Sequence, residues 1–317
     1  MNKVSFNNLR FEDLRAFLEK NKQPSYRLEQ ILEWVYGREA DDFSLMTNLP
    51  KDLISKLTDS FVITKPQLHS SQLSSDGTKK YVLEMQSGIE DEKPVFIECV
   101  AIPSLKESSN KLTVCISSQA GCPMACEFCA TGQQGFVRNL SCGEIVQQVL
   151  FIQNDLGMKV SNVVIMGQGE PFLNFENLTD ALDIINNPKI IGIGARKITV
   201  STCGIIPGID KFSNIDKQYG LAISLHCAIQ EKRNQLMPGV KNYTLGKLKD
   251  SIKNYIAKTN RRPTFEYLLI NNVNDTQEDL NALINFCEGM LCHINLIKFN
   301  DVKDSKFKAS SNTVVDK

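Results

Sequence analysis

Three cysteines lie within a stretch of eight residues near the middle of the chain, at Cys122, Cys126 and Cys129. Their spacing is Cys-x3-Cys-x2-Cys, and they follow an apolar stretch at residues 112–118. Three thiolates this close together suit three irons of a [4Fe–4S] cluster, whose usual protein complement is four cysteines. The fourth iron would then be open to a small-molecule ligand. An open iron distinguishes a cluster that does chemistry from one that only transfers electrons.

A zinc site and three unrelated buried cysteines are the alternatives to such a cluster. Structural zinc needs four ligands, typically from paired Cys-x2-Cys arms. The histidines of the chain, His69, His226 and His293, do not have zinc-finger spacing. A ferredoxin needs a fourth cysteine in the same run, but the next one is Cys142. The pattern therefore favours the open cluster.

The composition is that of an ordinary globular enzyme. The 317 residues are 42% hydrophobic and 23% charged, and they suffice for a large α/β domain with a smaller one. The 36 basic residues balance the 36 acidic ones, so the net charge is neutral on RNA binding. No apolar run approaches the ~18 residues of a membrane span, and the N-terminus has no signal-peptide pattern. We therefore expect a cytoplasmic protein with reduced cysteines.

The periodicity of apolar residues divides the chain into three stretches. Residues 1–60 have helical spacing, and residues 61–111 have short strands with a hairpin turn at Asp76-Gly77. From residue 112 to 317, β-branched strands alternate with amphipathic helices. This alternation predicts an α/β fold with a parallel sheet, either a partial (β/α)6 barrel or a doubly wound sheet. The six strands are expected at residues 112–118, 160–166, 196–202, 220–226, 264–270 and 293–299.

Polar residues at the carboxyl ends of these strands are candidates for ligand binding, because ligand sites of both folds lie there. Gly169 and Glu170 follow the second strand, where glycine permits close backbone approach and a carboxylate pairs with an ammonium group. The third expected strand ends near Ser201. The fourth ends at Ser224, Leu225 and His226, and Asn300 lies at the end of the sixth. A core histidine is the ordinary alternative for His226.

The cysteine triplet, with the aromatic Phe128 before its last cysteine, resembles the radical S-adenosylmethionine (SAM) superfamily. This resemblance implies that SAM chelates the open iron through its amino and carboxylate groups. An electron from the reduced cluster then splits the sulfonium and gives a 5′-deoxyadenosyl radical. The resemblance assigns the cluster to Cys122, Cys126 and Cys129, the SAM amino group to Gly169 and Glu170, and further SAM contacts to Ser201, Ser224, Leu225, His226 and Asn300.

Longer stretches resemble one branch of that superfamily, the RlmN/Cfr adenine methyltransferases, over nearly the whole chain. The most specific matches are residues 115–136, 167–171 and 221–226, and residues 26–31, 46–50 and 76–81 resemble the N-terminal domain of the family. The family resemblance implies methyl transfer to C2 of an adenine in 23S rRNA and in tRNA. It also implies an RNA-binding accessory domain over residues 1–60 and an electron donor of the flavodoxin type. We expect a monomer.

Two more residues receive roles from this resemblance. In the family, one SAM methylates a C-terminal cysteine, and a second SAM yields the radical that takes a hydrogen atom from the methyl group. The methylene radical adds to C2, a base removes the C2 proton, and another cysteine releases the product by forming a disulfide. Glu98 matches the base and Cys115 the resolving cysteine. The residues alone indicate an outward-facing strand carboxylate and a buried strand cysteine.

The methyl-carrying cysteine of the family lies in a C-terminal Gly-x-Asp-Ile-x-Ala-Ala-Cys-Gly-Gln segment, which the residues up to Lys317 do not contain. We therefore expect a chain truncated relative to the family, with complete cluster and SAM ligands. Methyl transfer by these residues alone is not expected. The alternatives are a Cfr-like adenine C8 methyltransferase and a non-catalytic protein that binds a cluster and RNA.

Overall fold

The computed structural model describes residues 3–86, 93–104, 111–300 and 306–315. Its strands are β1 Val4–Ser5, β2 Phe61–Val62, β3 Gln67–Leu73, β4 Lys79–Met85, β5 Val95–Pro103, β6 Leu112–Cys115, β7 Gln119–Gly121, β8 Phe136–Asn139, β9 Asn162–Ile165, β10 Ile198–Thr202, β11 Gly220–Ser224, β12 Thr264–Leu269 and β13 His293–Lys298. Its α-helices are α1 Phe11–Lys20, α2 Arg27–Leu32, α3 Lys51–Ser60, α4 Ala130–Gln134, α5 Cys142–Leu156, α6 Phe175–Asn186, α7 Ile206–Phe212, α8 Gln230–Leu236, α9 Leu245–Thr259, α10 Gln277–Cys287 and α11 Asn312–Val315.

The chain forms two compact units that alternate along the sequence. The first unit takes residues 1–120, 138–168 and 174–198, and the second takes residues 121–137, 169–173 and 199–317. The boundaries expected after residues 60 and 111 stay a prediction. None of the helices in the described ranges is long and apolar enough to cross a membrane.

Five strands of the first unit pair in the order β9-β6-β5-β4-β3, and β1 and β2 form a separate parallel pair. Strands β3 to β6 pair antiparallel, and β6 pairs parallel with β9. The turn between β3 and β4 contains Gly77 at a φ of +83°, as the Asp76-Gly77 pair predicts. On β5, Ile97 and Cys99 are buried whereas Glu98 and Val100 are partly exposed. One face of this sheet therefore belongs to the core, and the other is accessible.

Helix α5 of the first unit begins with the capping box that the sequence predicts. The Ser141 N–H donates to the Glu144 carboxylate at 2.8 Å, and the Ser141 hydroxyl accepts from the Glu144 N–H at 3.3 Å. The helix ends at Gly157, which has a left-handed φ of +60°. It packs against α6, and the buried positions of both helices are mostly apolar.

The second unit contains four parallel strands in the order β13-β12-β11-β10. Helix α7 connects β10 to β11, helices α8 and α9 connect β11 to β12, and α10 connects β12 to β13. The six strands predicted for this α/β fold are therefore present as β6, β9, β10, β11, β12 and β13, each shorter than its expected range. The carboxyl ends of β10 and β11 carry the predicted residues Ser201 and Ser224.

Candidate active site

The three cysteines of the triplet lie in one loop of the second unit. None of them forms a disulfide, and each is partly exposed. The Cys122 N–H donates to the Gly135 carbonyl at 2.9 Å, and the Cys129 N–H donates to the Cys126 carbonyl at 3.0 Å. The first bond closes the loop at its base, and the second bends the chain so that the last two thiols lie one turn apart.

Close backbone packing holds this loop in place. Gly121 has a φ of +72°, and a Cβ there would overlap the Gly135 carbonyl oxygen. The Gly239 N–H donates to the Met124 carbonyl at 3.1 Å, and a Cβ on Gly239 would lie 2.6 Å from the same oxygen. The Glu127 N–H donates to the Leu236 carbonyl at 3.0 Å. The last residue of α8 and the residues that follow it therefore pack against the loop.

Burial and mutual repulsion keep the thiols of Cys122 and Cys126 protonated in the absence of metal. Burial raises the pKa of Cys122 to about 11 and that of Cys126 to about 12. The neighbouring thiol of Cys129 contributes to both shifts, so the three sulfurs are close enough to interact. Because thiolates are the metal ligands, loading of this loop must release protons.

The triplet fits a cluster better than a single metal ion. Within the described part of the chain, no three Cys, His, Asp or Glu side chains converge as ligands of one ion. A cluster does not require that convergence, since each thiolate binds a different iron, and soft thiolate ligands are the usual choice for Fe–S clusters. The partly exposed thiols of one loop therefore meet the chemical requirements of a three-cysteine cluster site.

Gly169 and Glu170 adjoin the triplet in the second unit. The Gly169 N–H lies near the Cys122 sulfur, where it partly offsets the rise that burial gives to the pKa of that thiol, and Gly169 has a φ of +102°. The Glu170 carboxylate is buried and accepts from the N–H groups of Phe172 at 3.0 Å and Cys203 at 2.7 Å. Burial raises its pKa. The carboxylate thus joins two loops, and its predicted contact with the SAM amino group stays a prediction.

The predicted residues on β10 and β11 come together at adjacent strand ends. The hydroxyl oxygens of Ser201 and Ser224 are 3.4 Å apart. The Leu225 side chain is buried, its N–H donates to the Glu266 carbonyl, and its carbonyl accepts from the Cys227 N–H. The two hydroxyls are therefore the groups most suited to a polar ligand, while Leu225 fixes the backbone between Ser224 and its neighbour.

The His226 side chain is a neutral ring that packs against the loop of the cysteine triplet. Its Nδ1 accepts from the Leu268 N–H at 3.1 Å, which leaves the proton on Nε2. Burial lowers its pKa to about 3, and its ring packs edge-on against Phe128 with centroids 4.9 Å apart. Its φ of +53° is unusual for a residue with a side chain. Such strain at a strand end is typical of functional sites.

Asn300 lies beyond the end of β13 and is exposed. It follows Phe299, which is buried and packs against the ring of Phe307. Its role in SAM binding stays a prediction.

Glu98 and Cys115 lie on one face of the sheet in the first unit. Cys115 pairs with Val100 across β5 and β6, and Glu98 lies two residues before Val100. Side chains two residues apart on a strand share a face, so Glu98 is the diagonal neighbour of Cys115. The Glu98 carboxylate is 42% exposed and accepts from the Lys80 ammonium at 2.9 Å. Burial raises the pKa of Cys115 to about 11.

Comparison with known protein families identifies the family of this chain. Residues 4–63 match the model of the ribosomal RNA large subunit methyltransferase N-terminal domain, and residues 116–287 match that of the radical SAM superfamily. A probable dual-specificity RNA methyltransferase RlmN from Clostridium perfringens is 42% identical over 95% of this chain and 84% of that protein. The chain belongs to the RlmN family of radical SAM proteins.

Other relatives agree with this assignment. A probable dual-specificity RNA methyltransferase RlmN from Thermoanaerobacter pseudethanolicus is 42% identical over 96% of this chain and 86% of that protein. The crystal structure of a radical SAM methyltransferase from Sphaerobacter thermophilus superposes with a TM-score of 0.84 at 35% identity, covering 99% of this chain and 90% of that chain. The α/β radical SAM fold is therefore confirmed. Membership of the RlmN family implies a [4Fe–4S] cluster and SAM as cofactors.

The structure also reveals residues that the sequence does not single out. Arg233 lies at the core of the second unit and donates to the Cys203 carbonyl at 2.7 Å. Gly167, the first residue of the stretch 167–171, approaches the backbone of Ile116 in the first unit so closely that a Cβ would lie 2.8 Å from it. Both residues contact partners that are distant in sequence, so short-range sequence patterns do not reveal these contacts.

Proposed function

We propose that this protein transfers a methyl group from SAM to C2 of adenine in 23S rRNA and in tRNA. The observation that carries the proposal is the grouping, in one unit, of the triplet loop with Gly169, His226 and the serine hydroxyls at the ends of β10 and β11. Family membership supports the reaction class, since the curated RlmN relatives are described as dual-specificity RNA methyltransferases.

The residues around the triplet have distinct parts in the proposal. Cys122, Cys126 and Cys129 hold the cluster, which together with SAM supplies one-electron cleavage of the sulfonium. The backbone of Gly169 and Glu170 faces the amino group of SAM, because the Glu170 carboxylate is already bound to two backbone N–H groups. The remaining contacts come from the hydroxyls of Ser201 and Ser224, the Nε2 N–H of His226, the backbone at Leu225, and Asn300.

We infer that Glu98 is the proton acceptor and that Cys115 is the resolving cysteine. Both lie on the accessible face of β5 and β6, and Glu98 is open enough to meet a nucleobase. The Lys80 ammonium lies 2.9 Å from the Glu98 carboxylate and orients it on that face. Cys115 is protonated at neutral pH since burial raises its pKa, so its attack requires loss of that proton to a nearby base.

The proposal includes the expected partners and location. Adenine C2 is an electron-poor carbon, for which a radical route is chemically reasonable. A flavodoxin-type protein is the proposed electron donor, and the enzyme is proposed to act as a monomer in the cytoplasm, where its RNA substrates reside.

The test is transfer of an isotopically labelled methyl group from SAM to RNA under anaerobic conditions, followed by mass spectrometry of the nucleosides. The natural protein is assayed beside residues 1–317, because the methyl-carrying cysteine segment of the family is not among these residues. Label at adenine C2 is expected with the former. Label at C8 would show Cfr-like specificity, and no label with the former would contradict methyl transfer.

Glu98→Gln is the informative variant in this assay, with Glu84→Gln on the neighbouring strand β4 as its matched control. Glu98→Gln removes the proton acceptor with little change in shape, so we expect loss of labelled product by at least tenfold, in line with general base catalysis of about 10²–10⁴-fold. Full activity of Glu98→Gln would contradict the role of Glu98.

A further inference from the structure

Arg233 is a buried cation in the second unit. Its side chain is 0% exposed. Its Nη2 donates to the Cys203 carbonyl at 2.7 Å, and its Nε donates to the Leu225 carbonyl at 3.4 Å. Its Nη1 is buried and has no hydrogen-bond partner. Carbonyl groups thus satisfy part of the guanidinium, and none of these contacts neutralises its charge.

The described part of the chain provides no carboxylate partner for Arg233. The neighbouring Lys232 shows the contrast, because its ammonium lies 2.8 Å from the Asp279 carboxylate. An arginine stays charged in a protein interior, and a buried charge without a counter-charge costs several kcal/mol. The fold therefore retains a cation whose charge no neighbouring carboxylate balances.

The groups that interact electrostatically with Arg233 are the thiols of Cys126, Cys203 and Cys227 and the neutral ring of His226. Of these thiols, only Cys126 belongs to the triplet. Arg233 lies in α8, whose last residue, Leu236, accepts a hydrogen bond from the Glu127 N–H of the triplet loop. A bound cluster turns the Cys126 thiol into a thiolate and brings anionic charge to the loop. Loading of the triplet thus supplies the counter-charge that the chain lacks.

We propose that Arg233 is the counter-cation of the iron–sulfur cluster and that it raises the reduction potential of the cluster through the Cys126 thiolate. Reduction adds one negative charge to an already anionic centre, and a nearby buried cation stabilises the reduced form more than the oxidised one. Net charge and burial are the determinants of cluster potential that this residue changes. Arg233 is a positioning residue, since it acts through Cys126. The inference rests on the proposed assignment of the cluster to the triplet.

The test is a redox titration of the reconstituted cluster, monitored by electron paramagnetic resonance, in the wild-type protein and three variants. Arg233→Gln removes the charge but keeps a hydrogen-bond donor, and Arg233→Lys keeps the charge. Lys232→Gln is the matched control, because it removes a cation from the same helix that already has its own carboxylate partner. The wild-type protein and Cys126→Ala establish first that the triplet holds the cluster, so failure of that assignment is recognised separately.

We expect a more negative midpoint potential in Arg233→Gln. We expect potentials near wild type in Arg233→Lys and in Lys232→Gln. Loss of iron from Arg233→Gln but not from Arg233→Lys also supports the proposal, since charge is then needed for assembly. Equal potentials in wild type and Arg233→Gln would overturn it. Equal defects in Arg233→Gln and Arg233→Lys would also overturn it, since the guanidinium would then act by its shape.

Discussion

His226 has three properties that suit its proposed contact with SAM. Its ring is buried, it is fixed by the Leu268 N–H, and it is neutral at physiological pH because burial lowers its pKa to about 3. A neutral ring adds no positive charge to the site and presents one N–H. Its ring contact with Phe128 connects the residues after β11 to the loop of the cysteine triplet.

His226→Gln should weaken the acid sensitivity of the apoprotein. The folded pKa of about 3 lies below the ordinary value of 6.5, so the unfolded chain binds more protons between these two pH values. The free energy of unfolding therefore decreases as pH falls from 6.5 towards 3. Chemical denaturation at several pH values should show a smaller decrease in His226→Gln than in wild type.

His69→Gln is measured beside His226→Gln, to show what the loss of an exposed histidine does in the same experiment. An unchanged slope in His226→Gln would show that the buried ring does not titrate as described.

At the level of elements, close backbone packing at glycines holds the loop of the cysteine triplet in its conformation. Gly121→Ala places a methyl group against the Gly135 carbonyl and imposes a side chain on a φ of +72°, which costs about 1–2 kcal/mol or more. We expect lower iron content per chain after reconstitution and lower stability of the apoprotein. Gly246→Ala is the matched control, since a Cβ in that part of α9 meets open space. It should raise stability by about 0.5–1 kcal/mol with full iron content.

The capping box of α5 gives a second prediction at this scale. Ser141→Ala removes the hydroxyl that accepts from the Glu144 N–H, and it should lower the free energy of unfolding by about 1 kcal/mol. Ser75→Ala, at an exposed position beside the hairpin turn, is the control. A loss in Ser141→Ala no larger than in Ser75→Ala would show that the cap adds nothing to stability.

Element positions followed from local sequence where the signal is local. The capping residues of α5 and the turn at Asp76-Gly77 specify their own structures, and β-branched runs specify the strands. The expected strand ends are too late, since residues 116–118 and 225–226 stay buried after the strands have ended. The short strands β7 and β8 are too brief to show a periodicity.

At the scale of the whole molecule, the two units exchange segments along the sequence. Residues 121–137 and 169–173 join the second unit although their neighbours on both sides belong to the first. Only tertiary contacts create this division, so a reading of successive stretches does not predict it. The sequence reveals the triplet because its three cysteines are neighbours along the chain. It does not reveal the role of Arg233, because the carbonyl groups that Arg233 contacts are 8 and 30 residues away in sequence.

The central claim is that Cys122, Cys126 and Cys129 hold one [4Fe–4S] cluster that cleaves SAM. The most direct measurement is the iron content and the yield of 5′-deoxyadenosine from SAM after anaerobic reconstitution and reduction. The wild-type protein is compared with Cys126→Ala and with Cys292→Ala, which alters another partly exposed cysteine. Wild type and Cys292→Ala should bind the cluster and form 5′-deoxyadenosine, and Cys126→Ala should do neither. A Cys126→Ala protein that keeps its cluster and still cleaves SAM would contradict the claim.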